Sequence, residues 1–480
     1  MNNILLMALS TLKKVEEENI VEVKDFNYTE TYNAQLEPMV MCMYDQMAKN
    51  KAGMDKNDKI TVVALLTKDV KNITENFAGK TAYNYYKEKI PEICAGKATM
   101  KPIDVDENNP AEGIRKTVDF IRNLEDRGKL WIDTHGGFRD VALVLESVVS
   151  LLKVDNIVPD EIFGVRYNDQ ISDFVNQKSS YYMFEFVSGM NEFINYGRVN
   201  ILDEYYKAFP NDNLKEVLKA MREISNGTEE CNPRHYQKGL DDLGEIIDGI
   251  SSTDPLMAIF SDYIKKSYGV LLDKKRRTVV DIIERCTQKN LVQQALTILE
   301  TLMPEEIVKR KILQYDEKYI AQIEKEHQRL KPKYETDEQF IVNAYVSSWD
   351  YNGLSVKKNK NKARTRDDDE RSYIEYVCEG GDRGSNDFLG STNTNNGGCV
   401  PVKLGEKNKD AITIDVSTCI DSDDLWQKAG KLMHLHCALK RCRNKFNHCD
   451  SNRPSTKIII EALKKYVYLA RGLFKIYDPT

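Results

Sequence analysis

No stretch of this chain approaches the roughly eighteen consecutive apolar residues that a membrane helix needs, so a helical membrane protein is not expected. None of its ten cysteines forms a Cys-x-x-Cys pair, and their scatter gives no disulfide framework; a reduced, cytoplasmic chain is the expectation. Basic charge is not in excess either. With 69 Lys and Arg against 75 Asp and Glu, the net charge of −6 argues against a protein that coats nucleic acid nonspecifically. A local basic site acting on RNA stays open. No Gly-x-Gly-x-x-Gly follows the first apolar run, Ile4–Leu9, which counts against a dinucleotide-dependent oxidoreductase. The start, MNNILLMALSTLKK, lacks a basic leader and a small-residue cleavage site, so it reads as a first strand.

What is present, in 480 residues, suits two or three domains. Up to about residue 200, strand and helix signals alternate. The apolar runs are Ile4–Leu9, Ile60–Leu66, Leu130–Asp133 and Glu161–Arg166. They lead into the polar pairs Ser10-Thr11, Thr67-Lys68, Thr134-His135 and Tyr167-Asn168. Continuous apolar strands with polar C-terminal ends are what a parallel sheet covered on both faces produces. Helices are expected at Pro38–Lys49, Ala111–Arg127 and Phe138–Val154, which completes a Rossmann-like α/β pattern.

The segment Lys129–Leu152 is the most informative part of this half. The run Leu130, Trp131, Ile132 ends in Asp133-Thr134-His135-Gly136-Gly137, and a helix pattern starts at once. Such a junction gathers backbone N–H groups and the positive end of a helix. With a hydroxyl, an imidazole, two glycines and Arg139, it suits a phosphate or a nucleotide edge.

Beyond residue 200 the strand signal fades. Asp203–Phe209, Leu214–Ile224, Tyr236–Ile250, Leu256–Leu272, Val279–Lys289 and Val292–Leu302 read as amphipathic helices. Residues 355–400 are polar, with six basic residues before the acidic run Asp367–Glu370, and read as a flexible insertion. A long helix then begins at the N-cap cluster Asp421-Ser422-Asp423. Leu425, Leu432, Leu439 and Phe446 recur every seven residues, with Ala429, His436 and Arg443 on the adjacent row. Arg443 therefore stands at the edge of the buried stripe, where a charge calls for a partner or a task. A last helix follows from Ser455 to Tyr477. His434, His436, Cys437, Cys442, His448 and Cys449 crowd together, but one helix cannot turn all six toward a common ion, and no metal site is expected.

Several of these stretches resemble one family. The Thr134-His135-Gly136 turn is similar to the signature of CARF domains, nucleotide-sensing modules of CRISPR-associated proteins. Its commonest form has an acidic residue two places before the threonine; here Ile132 holds that place, so no role for Asp133 carries over. FVSGMNEFINYGR (Phe186–Arg198) and the Gln-Gln-Ala-Leu stretch within Cys286–Ile307 are also similar to CARF proteins of this type. Arg443-Asn444-x-x-x-His448 resembles the R-x4–6-H motif of HEPN ribonucleases, with Arg441 a second-ranked fit. Together they resemble the CARF–HEPN effector ribonucleases of type III CRISPR systems.

That resemblance implies a CARF-like Rossmann domain at 1–200, an all-α linker at 201–330 and an all-α HEPN domain at 331–480. It implies cleavage of single-stranded RNA without metal or other cofactor, by Arg443, Asn444 and His448. It implies activation by cyclic tetra- or hexa-adenylate at Ser10, Thr11, Thr67, Lys68, Thr134, His135, Gly136, Gly137, Arg139, Tyr167 and Asn168. A homodimer in antiviral defence is implied as well. Some relatives also cleave their activator in the CARF cleft, and Thr134 and its neighbours stand where that chemistry would occur. The rival reading is a nucleotide sensor with a transcriptional or scaffolding output. It calls for a basic helix-turn-helix at the C-terminus, and no convincing one is found there.

Overall fold

The computed structural model describes residues 1–10, 18–106, 108–137, 139–168, 171–252, 255–330, 334–347, 376–377, 400–404, 412–447 and 454–477. The chain divides into two compact units, 1–185 and 186–480.

The first unit runs β1 (Asn2–Ala8), β2 (Asn19–Val23), β3 (Tyr28–Tyr32), α1 (Glu37–Ala48), β4 (Lys59–Leu66) and α2 (Ala82–Ile93). It continues with β5 (Ala98–Asp104), α3 (Ala111–Arg122), β6 (Arg127–Asp133), α4 (Arg139–Val154), β7 (Glu161–Asn168) and β8 (Ile171–Asn176). The division from the second unit falls within α5 (Lys178–Tyr196). The strands form one sheet in the order β3-β2-β8-β7-β6-β1-β4-β5. Alternation along β1 shows why its sequence is apolar throughout. Leu5, Met7 and Leu9 join the core on one face, and Ile4, Leu6 and Ala8 join the core on the other.

The expected Rossmann-like pattern is present, but the sheet is mixed. The pairs β1–β4, β1–β6, β4–β5, β6–β7 and β2–β8 are parallel, whereas β2–β3 and β7–β8 are antiparallel. The strands that sequence reading misses lie toward the sheet's two edges. In β3 the pattern YTETY buries only its two terminal tyrosines, and β5 (ATMKPID) carries a lysine and a proline. Those residues suit an edge strand, where they discourage pairing with another chain.

The second unit is mainly helical: α6 (Asn200–Ala208), α7 (Lys215–Glu229), α8 (Pro233–Ile246), α9 (Pro255–Tyr268), α10 (Val279–Gln288), α11 (Val292–Thr301) and α12 (Met303–Lys309). Then come β9 (Gln314–Tyr315), α13 (Ile320–Leu330), α14 (Asp337–Ser347), β10 (Val400–Leu404), β11 (Ile412–Ser417), α15 (Asp423–Asn447) and α16 (Thr456–Phe474). The expectation of an all-α C-terminal part needs correction, because β10-β11-β9 form a small antiparallel sheet. Val402, Leu404, Ile414 and Val416 are buried on its inner side, a period of two too short to register as strands against the surrounding polar chain. One cluster of buried residues extends from Phe186 to Phe474, across position 330, and the expected division there is a proposal. Most of the insertion expected at 355–400 lies outside the described residues; within it Val377 is buried in the same cluster.

Candidate functional sites

In the first unit β1 lies between β4 and β5 on one side and β6 and β7 on the other, and the chain crosses over it on the way from β5 to β6. The crevice beyond the C-terminal ends of β1 and β6 is therefore a topological switch point, the usual ligand position in an open α/β sheet. Register brings three of the expected segments to that end. Ala8 pairs with Leu65 and Met7 with Asp133, so Ser10, Thr67 and Thr134 all follow strand ends that lie level with one another. Tyr167 and Asn168 do not share that level. Asp133 pairs with Phe163, which puts Tyr167 four residues further along β7, about 13 Å up the strand.

Local chemistry explains the turn after β6. The His135 N–H donates to Asp133 Oδ1 at 2.9 Å, closing an Asx-type turn. The Thr134 N–H donates to the Phe163 carbonyl at 2.8 Å, and Thr134 Oγ1 donates to the same oxygen at 3.0 Å. Thr134 Oγ1 also lies 3.0 Å from Gln177 Oε1, so this hydroxyl fastens the end of β6 to its neighbours. The His135 side chain is 1% exposed, with its ring edge on Phe174 at 5.2 Å. It packs inward. A Cβ on Gly136 would stand 1.9 Å from the Ala8 carbonyl oxygen, and Gly137 has φ +84°. Both glycines are thus required by the backbone, the first for close approach and the second for its left-handed conformation.

Around this turn lie the groups with ligand-binding capacity. Ser10 and Thr67 are buried, and Thr67 Oγ1 has no hydrogen-bond partner among the described residues. An unsatisfied buried hydroxyl at a strand end is a candidate contact for a polar ligand. Lys68 beside it is exposed. Thr11 lies outside the described residues, as do the side chains of Arg139, Tyr167 and Asn168.

In the second unit the side chain of Ser422 caps α15 by accepting from the Leu425 N–H at 3.3 Å. The heptad reading holds in the middle of the helix, where Ala429, Leu432, His436 and Leu439 are all fully buried; Leu425 is half-buried, and the side chain of Phe446 lies outside the described residues. The His436 Nδ1 lies 3.0 Å from the Tyr466 hydroxyl on α16. Burial holds its imidazole at a pKa of about 3, so it is neutral at physiological pH. It belongs to the core.

Arg443 occupies the edge of this stripe, with its side chain 28% exposed. Its Nε lies 3.1 Å from Oε2 of Glu300, near the end of α11, and that glutamate is only 14% exposed. Neighbouring groups feel both charges. Burial raises the pKa of the Cys231 thiol, with Arg443 opposing, and burial together with the Glu300 carboxylate raises that of the Tyr334 phenol. Asn444 is exposed, and His448 lies outside the described residues. Sequence reading missed Glu300. No local pattern marks it, because its partner lies far along the chain and the contact exists only once α11 and α15 pack.

Among the described residues no group of three or more His, Cys, Asp and Glu side chains is placed to hold a metal ion. No helix among them is long and apolar enough to cross a membrane.

The molecule thus consists of a doubly wound mixed sheet with a polar turn at its switch point, followed by a mainly helical unit with an ion-paired arginine near a helix end. In structure it is similar to Enterococcus italicus Csm6 bound to cyclic hexa-2'-fluoro-hexa-dAMP. That likeness has a TM-score of 0.37 and 11% sequence identity, over 99% of this chain and 94% of that one. No family model matches the chain, and no curated protein matches it.

Proposed function

We propose that the protein is an endoribonuclease that cuts single-stranded RNA without a metal, and that a cyclic oligoadenylate bound to the first unit activates it in CRISPR antiviral defence. The observation that carries this reading is the setting of Arg443: half-buried at the edge of an apolar helix, ion-paired to Glu300, and followed by Asn444 and His448 in sequence.

An arginine and a histidine can cleave RNA through its own 2′-hydroxyl. The 2′-oxygen attacks the adjacent phosphorus and the bond to the 5′-oxygen breaks, leaving a 2′,3′-cyclic phosphate and a 5′-hydroxyl. Arg443 would hold the phosphate and offset charge that builds on it. His448 would move a proton at a pKa near the operating pH, and Asn444 would orient one of the two. In-line attack needs a backbone freer than an A-form duplex allows, hence the single-stranded substrate. One such pair is sparse, and a two-fold homodimer would bring two of them to one cleft.

The switch-point crevice supports the sensing half of the reading. Ser10, Thr67, Lys68 and the turn Thr134–Gly137 follow neighbouring strand ends, and Thr67 has a hydroxyl still to be satisfied. Binding there would shift the balance between two states of the nuclease site, which is allostery in the two-site, two-state sense. The engagement of Thr134 Oγ1 weighs against that hydroxyl as a group that attacks the activator. The deciding experiment incubates the pure full chain with labelled single-stranded RNA, with and without cyclic tetra- or hexa-adenylate. Activator-dependent cutting that yields cyclic-phosphate ends is the expected result. Tight activator binding with no cutting would favour a sensor with a non-catalytic output.

A further inference from the structure

The contact between Glu300 and Arg443, like Arg277–Asp241 and Arg471–Asp281, joins separate segments and is less exposed than the single-helix pairs on the surface. Lys464–Glu461 and Lys207–Glu204, for example, join side chains well over half exposed on a single helix. Glu300 is 14% exposed and Arg443 28%, and they join two different helices, α11 and α15. The carboxylate meets the guanidinium at Nε, the nitrogen nearest the stem, at 3.1 Å.

We propose that Glu300 is the positioning residue for Arg443, an inference that rests on the ribonuclease reading above. Arginine presents five N–H donors in one rigid plane on a long, mobile stem. Glu300 Oε2 makes no hydrogen bond among the described residues, so the carboxylate acts on Arg443 through its charge, and this holds the stem toward α11. The guanidinium is then kept near one place, where a phosphodiester would meet it. Because packing holds Glu300, this orientation exists before RNA arrives, and the substrate does not have to supply it. A carboxylate that only joined the two helices would show itself in stability and leave turnover alone.

The test uses the full chain with activator at saturation and compares Glu300→Ala, Glu300→Gln, Glu300→Asp, Arg443→Ala and the double variant Glu300→Ala/Arg443→Ala. Thermal melts are run beside kcat and KM for single-stranded RNA. Loss of the carboxylate is expected to lower kcat about ten- to a hundredfold, since small misplacements of a catalytic group cost that much. KM should change far less. Glu300→Gln keeps the size but not the charge, so it should be nearly as slow as Glu300→Ala. Glu300→Asp keeps the charge but draws it back by one methylene, so it should be slow although folded; it carries the test if Glu300→Ala does not fold. The double variant should be no slower than Arg443→Ala alone.

Wild-type or faster kcat in the folded Ala or Asp variant would overturn the inference, as would wild-type turnover in Glu300→Gln. Those outcomes leave the ribonuclease reading standing. Wild-type turnover in Arg443→Ala, or no cutting by the unaltered chain, would remove that reading and this inference with it.

Discussion

Gly136 lies against the last residue of β1 so closely that a methyl group on it would stand 1.9 Å from the Ala8 carbonyl oxygen and 2.9 Å from Leu36 Cδ2. The turn most suggestive of ligand binding is therefore also a packing joint between β1, β6 and the start of α1. Gly136→Ala should lower stability by about 1–3 kcal/mol, the usual cost of forcing atoms into a packed interior. Gly137→Ala should also destabilise, through its left-handed backbone rather than a backbone clash. Urea melts of the two variants check this, and an unchanged midpoint in Gly136→Ala would mean that β1 gives way freely.

Arg443→Ala and His448→Ala should each abolish RNA cleavage while the protein still folds, with some loss of melting temperature in Arg443→Ala as Glu300 loses its partner, and Arg441→Ala should be milder. Arg443 is half-buried and held by Glu300. Gel assays on labelled RNA beside thermal melts make the comparison. Near-normal turnover in His448→Ala would remove the proposed proton-transfer role.

Cleavage should persist in excess EDTA, because the proposed chemistry draws its nucleophile from the RNA itself. Activity that disappears with chelator and returns with a divalent ion would point to a different nuclease class.

For the switch, Lys68→Ala and Arg139→Ala should raise the activator concentration needed for half-maximal cutting. Each removes a cation from a segment at or next to the switch-point crevice. Turnover at saturating activator should be close to normal. Titration of cyclic oligoadenylate against RNA cleavage measures both quantities, and unshifted curves would place the sensor elsewhere.

His436 predicts a pH effect on stability. Its folded pKa of about 3 lies below the value near 6.5 of an exposed histidine, so below pH 6.5 the unfolded chain takes up a proton that the folded chain refuses. The contribution is complete above about pH 6.5 and declines as pH falls toward 3, amounting to about 2 kcal/mol lost by pH 5. Comparing urea unfolding at pH 7.5 and pH 5 for the wild type and His436→Gln isolates the effect. The variant should lose less of its stability on acidification.

Legibility in the sequence follows burial. The strands β1, β4 and β6 are covered on both faces and read as apolar runs; β2, β3 and β5 lie near the sheet's edges and carry Glu, Thr, Lys and Pro, so they escape notice. The edge position of Arg443 was visible in the seven-residue spacing of α15, because a helix converts sequence spacing directly into direction. Its partner was not visible, since nothing local to Glu300 announces a contact between α11 and α15. The turn at Thr134–Gly137 was legible as a special place. Its chemistry was less so: spacing could not say that His135 turns inward or that the Thr134 hydroxyl is already engaged.

The contact of His436 with Tyr466 has a mechanical consequence for the far end of the same helix. Arg443 stands seven residues beyond His436, so the two directions differ by only about 20° after two turns. The buried imidazole acts as an index pin for the rotation of α15. A slip of one residue would swing the arginine by about 100° and shift it about 1.5 Å along the axis. Whatever moves α15 as a switch must therefore either carry α16 along with it or break a hydrogen bond in a dry interior.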